Sequence, residues 1–389
     1  MRKLVFSGLL NLLFALHCIA QQGIKFREIS FKESLGFAAT ENKPVLLMSY
    51  EKTCGHCEKM LTEVFIDSTL GDFFNANFVS IKKELSEPEG GTLAKKFFIT
   101  SFPTFVILNK EGDVLYQFVG EFKGEDFLKQ GQQALIKENQ MPYLQDQFEN
   151  NMYDSTACYK YLQALSKGRI PTQEVVERYF EANKNNFEIS TGNWKILSTG
   201  VSDISSAPFS FILKNKEDFA KVVTQKKVDR KIYLTCAYNL QTAANANDTI
   251  LYFSRREVAM QFYNDRVDSL IFVNDLSIYE KHKQYTKYLD RAFYGTAAYT
   301  WNDATQLRRI GEMFLLKTSD TNYLAKALTF AVRSVDLKPD YFNTILAAKL
   351  ALKLEDKIQA KNFAEQAKMY AEQRKTSTTE AESILEQCK

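Results

Sequence analysis

Apolar positions follow two different periods along this chain, and the change comes near residue 140. Residues 45–50 open on an unbroken apolar run, Val45-Leu46-Leu47-Met48, which predicts a strand buried on both faces. Strands are also predicted from Phe78 onward, over 105–108 and over 114–119, the last two joined by Asn109-Lys110-Glu111-Gly112-Asp113, a hairpin loop with glycine where positive φ is wanted. Helical spacing falls between them. Ser30-Phe31-Lys32-Glu33 has the form of a capping box opening a helix to about residue 40. Met60, Leu61, Val64 and Phe65 mark a second helix, and residues 92–98 and 125–137 a third and fourth. Ser86-Glu87-Pro88-Glu89-Gly90-Gly91 reads as loop, and Phe73-Phe74 as the approach to the second strand. The expected order is αβα, β, α, ββ, α over residues 24–138.

Beyond Asn139-Gln140-Met141-Pro142 strand-like alternation nearly vanishes. Helices are predicted over 144–151, 155–166, 172–183, 215–223 and 230–245. Two bulky stretches around Trp194 and Phe209 show no clear period and read as core packing. Ala327, Ala331 and Pro339, echoed by Ala360, Ala364 and Ala367, have the small-residue spacing of a tetratricopeptide helix pair. The expectation is an all-α helical domain over 141–389, with tetratricopeptide-like hairpins near 320–375.

Composition refines this. A chain of 389 residues with 45% apolar and 25% charged residues has the make-up of a globular protein of more than one domain. Aromatic usage is skewed, with 30 Phe and 19 Tyr against 2 Trp. The formal charge is only +3, and Arg2 and Lys3 supply two of those positives, so nothing points to nucleic acid or an acidic membrane face. Residues 1–20 read as a signal peptide: Arg2-Lys3, an apolar run to Ala20, and small residues at Cys18 and Ala20. Export, periplasmic or secreted, follows as an expectation, with no membrane span after cleavage. Five cysteines then remain: Cys54, Cys57, Cys158, Cys236 and Cys388. That number is odd and too small for a disulfide scaffold. Cys158 and Cys236 read as small apolar helix residues.

Cys54-Gly55-His56-Cys57 carries the chemistry. It lies between the apolar strand and the following helix, so both thiols fall at a helix mouth, where unpaired N–H groups and the helix dipole stabilise a thiolate at Cys54. Cys57, one turn on, can resolve a mixed disulfide. Half a zinc site, a structural disulfide and a copper-handling thiolate pair are the competing readings. Zinc lacks further ligands, since there is no second pair and the histidines are His17, His56 and His282. No metal and no cofactor is expected. Thr100-Ser101-Phe102-Pro103-Thr104-Phe105 adds a turn, a proline and a strand start.

Together, strand–CGHC–helix followed by Ser-Phe-Pro-Thr before a strand resembles the thioredoxin superfamily, and within it exported bacterial thioredoxin-like proteins. The resemblance implies an α/β thioredoxin-like domain over 24–138. It implies catalytic Cys54 and Cys57, tuning by Gly55 and His56, and a substrate-binding platform at Phe102, Pro103 and Thr104. The Phe102–Pro103 peptide would be cis and face the disulfide. Gly55-His56 is the inner pair of protein disulfide isomerases, a class more oxidising than thioredoxin by ~90 mV, or about 4 kcal/mol for two electrons. Two departures are plain. Thr53 replaces the family's tryptophan, and Met48 its proton-moving carboxylate, which leaves Glu58, Glu84 or water as substitutes. The implied function is thiol–disulfide exchange with protein thiols or disulfides, served by an unidentified redox partner. The alternative is a non-catalytic thioredoxin-fold scaffold that binds partners through its helical domain.

Overall fold

The computed structural model describes residues 23–262 and 265–389. Residues 1–20, read from sequence as an export signal, lie outside the described residues. The chain packs as two compact units. The first runs to Val201 and takes in Lys221–Val223; the second comprises Ser202–Ala220 and Thr224–Lys389.

The first unit begins with helix α1 (Phe31–Glu41), closed at its start by the reciprocal Ser30–Glu33 capping box. Strand β1 (Val45–Tyr50) leads to α2 (Gly55–Lys59), which continues as a π-helical turn, Met60–Val64. Then come α3 (Ser68–Asn77), β2 (Val79–Glu84), α4 (Pro88–Lys96), β3 (Thr104–Leu108), β4 (Val114–Val119) and α5 (Gly124–Leu135). The sheet order is β2-β1-β3-β4, with β1 parallel to β2 and antiparallel to β3, and β3 antiparallel to β4. The apolar run of β1 is explained by its two covered faces. Leu46 and Met48 enter one core cluster with Cys57, Phe105 and Phe127; Val45 and Leu47 enter the other with Val79, Leu93 and Val106.

Two segments differ from their sequence reading. Residues 68–77 form α3, capped by the Asp67 carboxylate on the Leu70 amide at 3.0 Å, and bury Leu70 and Phe74. Phe73-Phe74 is therefore helical, and the Phe74 ring packs on Phe127 of α5, a partner that local pattern cannot show. Glycines 90 and 91 lie inside α4 and not in a loop. Pro88 fits the first helical turn, where its missing N–H is not needed. Gly90 is there for closeness: a Cβ on it would stand 1.9 Å from the Glu84 carbonyl oxygen.

Helices α6 (Met141–Asn150), α7 (Ser155–Lys167), α8 (Gln173–Asn183) and α9 (Thr191–Gly200) complete this unit. The stretch around Trp194 is α9, started by Ser190. The end of α7 closes over β4. Gln117, buried on β4, donates from Nε2 to the Phe97 carbonyl at 3.1 Å and to the Gly168 carbonyl at 2.8 Å. Removing α6–α9 strips the second acceptor and uncovers β4. A fragment of residues 24–141 is therefore expected to unfold at lower urea than one of residues 24–201, by more than ~1 kcal/mol, the net worth of one such bond. Equal midpoints would show that these helices lend the sheet nothing.

Helices α10 (Ala207–Lys214) and α11 (Lys216–Val222) follow. The second unit continues with α12 (Gln225–Asn245), α13 (Thr249–Met260), α14 (Asp265–Lys281), α15 (Tyr285–Tyr299) and α16 (Ala304–Lys317). It ends with α17 (Thr321–Leu337), α18 (Tyr341–Lys353), α19 (Lys357–Gln373) and α20 (Thr379–Gln387). Fold class is thus as the sequence implied: an α/β domain followed by helices. Ala327 and Ala331 are buried among Phe314, Phe330 and Leu346, and Ala360, Ala364 and Ala367 among Ile345, Ala348 and Ile384. Small side chains at these positions let neighbouring helices approach closely. One fully buried acid sits on α14. Asp275 accepts from Arg256 Nε at 2.8 Å, Arg256 Nη2 at 3.1 Å, Arg291 Nε at 2.9 Å and the Tyr252 hydroxyl at 2.7 Å. No helix among the described residues is long and apolar enough to cross a membrane.

Candidate active site

Cys54 and Cys57 are joined as a disulfide, with Cα atoms 5.3 Å apart. Their positions come from the strand-to-helix junction. Cys54 is the N-cap of α2 in extended backbone, and Cys57 lies in the first turn. The Cys57 amide points at Cys54 Sγ, 3.2 Å away. An N–H aimed at that sulfur favours its thiolate once the disulfide opens. Cys54 is half-buried and Cys57 only 1% exposed, so Cys54 is the more accessible of the two. Gly55 and His56 are both exposed, and nothing stands within 4 Å of where a Gly55 Cβ would be.

The Phe102–Pro103 peptide is cis. Its loop is fixed from both sides: Gly120 N–H donates to the Pro103 carbonyl at 2.9 Å, and the Thr104 hydroxyl donates to the Ser101 carbonyl at 2.7 Å. Pro103 and Thr104 are buried, and the Thr104 side chain braces the loop from within. Phe102 is half-buried and packs against both core clusters, one of which holds Cys54 and Cys57. The cysteine turn and the proline loop are thus brought together by the β1–β3 pairing, in which Ser49 lies opposite Thr104.

Local sequence reading missed the loop after β4. Gly120 takes φ 116°, a conformation open to glycine, and ties the loop to Pro103. Glu121 next to it bridges two residues of α2, with its carboxylate 2.7 Å from His56 Nδ1 and 2.5 Å from Lys59 Nζ. The Phe122 amide donates to Met60 Sδ at 3.3 Å. Three consecutive residues therefore link the proline loop to the active-site helix. Lys59, and after it His56, holds the Glu121 carboxyl below its ordinary range. The glycine closing a strand is the one cue in the sequence, and it cannot reveal a partner 65 residues away.

Residues 31–135 match the family model described as a thioredoxin-like domain. The N-terminal domain is thioredoxin-like. No curated protein matches the chain. Among solved structures, a candidate disulphide-isomerase from Bacteroides thetaiotaomicron is 35% identical over 29% of this chain and 94% of its own, with a TM-score of 0.28. A protein titled DsbH oxidoreductase is 22% identical over 33% of this chain and 94% of its own, with a TM-score of 0.27. A thioredoxin from Thermus thermophilus is 25% identical over 30% of this chain and 90% of its own, with a TM-score of 0.28.

In this thioredoxin-like domain Met48 is fully buried in the cluster that contains Cys57. Glu84, suggested by the sequence as a substitute carboxylate, is buried at the end of β2 and engaged by the Ser86 hydroxyl and, at 2.8 Å, by the Ser86 amide. The Ser86 hydroxyl, ahead of the other influences, holds its carboxyl below the ordinary range. Of the three free cysteines, Cys158 and Cys236 are buried, and burial pushes both thiols up to about 12. Among the described residues no group of three or more His, Cys, Asp and Glu side chains is placed to hold a metal.

Proposed function

We propose that this protein is an exported thiol–disulfide oxidoreductase that exchanges disulfides with protein substrates through Cys54 and Cys57. The observation that carries this reading is a cysteine pair at a helix N-terminus, the first sulfur accessible and facing an amide, the second buried, beside a loop built on Pro103. In the reducing direction the Cys54 thiolate attacks one sulfur of a substrate disulfide. That bond breaks, its other sulfur leaves as a thiolate and takes a proton, and a mixed disulfide joins Cys54 to the substrate. Cys57, deprotonated, then attacks Cys54 Sγ and releases the second substrate thiol. Two electrons pass from the enzyme dithiol to the substrate, and the reverse sequence oxidises a substrate dithiol. The Phe102 backbone amide makes no hydrogen bond to the described residues, so it is free to pair with a substrate backbone beside the disulfide. Export is supported by the basic, apolar and small-residue pattern of residues 1–20. Reduction of insulin by the full chain with a dithiol reductant, against the Cys54→Ser variant, tests the reading. Equal rates would overturn it.

Met48 favours a second reading, a non-catalytic scaffold that engages partners through its helices, because no carboxylate occupies that buried place beside Cys57. A scaffold would turn over no disulfide with or without Met48→Glu, whereas an enzyme responds to it. Burial raises a carboxyl's pKa toward neutrality and lets it shuttle the Cys57 proton. Turnover is expected to rise about 10-fold where proton transfer limits, with a loss of roughly 1–3 kcal/mol in stability for the buried polar group. Unchanged or slower turnover in a folded variant would show that another group already carries the proton.

A further inference from the structure

The proline loop is also held from outside the thioredoxin-like domain. Three consecutive residues at the end of α7 reach β4 and this loop. Lys167 lies over the Tyr116 ring, 4.6 Å from its centroid; the Gly168 carbonyl accepts from Gln117; and Arg169 Nη1 donates to the Ser101 hydroxyl. A helix end favours glycine in the left-handed position, yet here glycine comes one place early and Arg169 takes φ 55°. Gly168 is required where it stands, since a Cβ on it would lie 2.8 Å from the Gln117 Cβ. Arg169 thereby takes the left-handed place, as Phe98, Lys283, Glu355 and Lys375 do after other helices, and from it the guanidinium reaches Ser101.

That guanidinium is exposed, and no carboxylate among the described residues pairs with it. Six other arginines have one, while Arg230, Arg255, Arg333 and Arg374 share its lack of an ion pair among the described residues, so what sets Arg169 apart is its place against the proline loop. Its bond to Ser101 uses one of five N–H donors. Ser101 is two residues from Pro103, a span of at most about 7 Å, so a substrate chain lying along Phe102 brings its next side chain within reach.

We propose that Arg169 is a specificity-determining residue that receives a carboxylate side chain next to the substrate cysteine being exchanged. A planar guanidinium binds a carboxylate through two parallel hydrogen bonds, which lysine cannot reproduce. The proposal rests on the redox reading above, and it makes α7 part of the substrate platform.

The test compares kcat/KM of the full chain on peptide disulfides that differ in the residue flanking cysteine, aspartate or lysine, with neutral 2-hydroxyethyl disulfide as reference. The wild type is expected to prefer the acidic peptide about 10-fold, through KM. Arg169→Gly, which suits the left-handed backbone and keeps or raises the unfolding midpoint, is expected to abolish that preference. Arg169→Lys is expected to retain about a third of it, and Arg169→Glu to reverse it. Each protein's peptide values are read relative to its own rate on 2-hydroxyethyl disulfide, so that any loosening of the proline loop cancels. A preference that survives Arg169→Gly, or a loss shared equally by every substrate, would overturn the proposal. A wild type that exchanges all peptides alike overturns this proposal alone; one that exchanges none overturns the redox reading with it.

Discussion

Cys54→Ser is expected to lower disulfide exchange by at least ~10³-fold, the scale on which loss of a nucleophile acts, while the fold survives. The half-buried Cys54 meets substrate, and serine offers no thiolate there. Cys57→Ser should behave differently. Its Cys54 can still attack, but the buried position can no longer resolve the adduct, so a mixed disulfide with substrate should accumulate and run as a larger species on a non-reducing gel. Brief iodoacetamide treatment of the reduced wild type should label Cys54 first. Cys158 and Cys236 should stay unlabelled, since burial keeps both thiols protonated at neutral pH. Accumulation of the adduct in Cys54→Ser and not in Cys57→Ser would reverse the two roles.

Asp275→Ala is expected to cost the second unit about 3–5 kcal/mol, the loss that follows when one partner of a buried ion group is removed. Both oxygens of Asp275 are used, one by Tyr252 and Arg256, the other by Arg256 and Arg291. Removing the acid leaves two guanidinium groups facing each other across a space with no anion. The cation–π contact of Arg291 with Phe272, at 5.3 Å, does not replace it. Urea unfolding followed by far-ultraviolet circular dichroism measures the effect. A triple variant with Asp275→Leu, Arg256→Met and Arg291→Met should recover most of the loss, because apolar groups of similar size need no counter-charge. A shift below ~1 kcal/mol in Asp275→Ala would show that water reaches and neutralises the site.

Periodicity makes some elements legible and hides others. β1 was readable because a strand buried on both faces carries an unbroken apolar run, and α1 because its capping box is complete within four residues. Helices α6, α7 and α8 were readable for a similar reason: each buries one face at regular spacing. α3 was not, because Gly71 interrupts the pattern and the Phe74 ring packs on Phe127, more than fifty residues away in the chain. The start of α4 was not, because Gly90 answers to the Glu84 carbonyl and not to a turn. Within the site, the cysteines and the proline announced themselves through residue type and spacing. Glu121 and Arg169 did not, since an exposed charged residue after a strand or helix is ordinary until its partner is known.

The sequence by itself therefore determined the elements whose cause is local: the strand before Cys54, the helix that begins there, the turn at Pro103, and the change from mixed to helical structure near residue 140. Hydrogen-bond caps, apolar period and thiol spacing act over a few residues and can be read along the chain. Tertiary structure alone decided which distant residues share the site. It set Glu121 between His56 and Lys59, Gln117 under Gly168, Arg169 on Ser101, and Asp275 between two arginines on neighbouring helices. Each of these contacts joins side chains from different elements, and its strength depends on geometry and burial that exist only once those elements have packed.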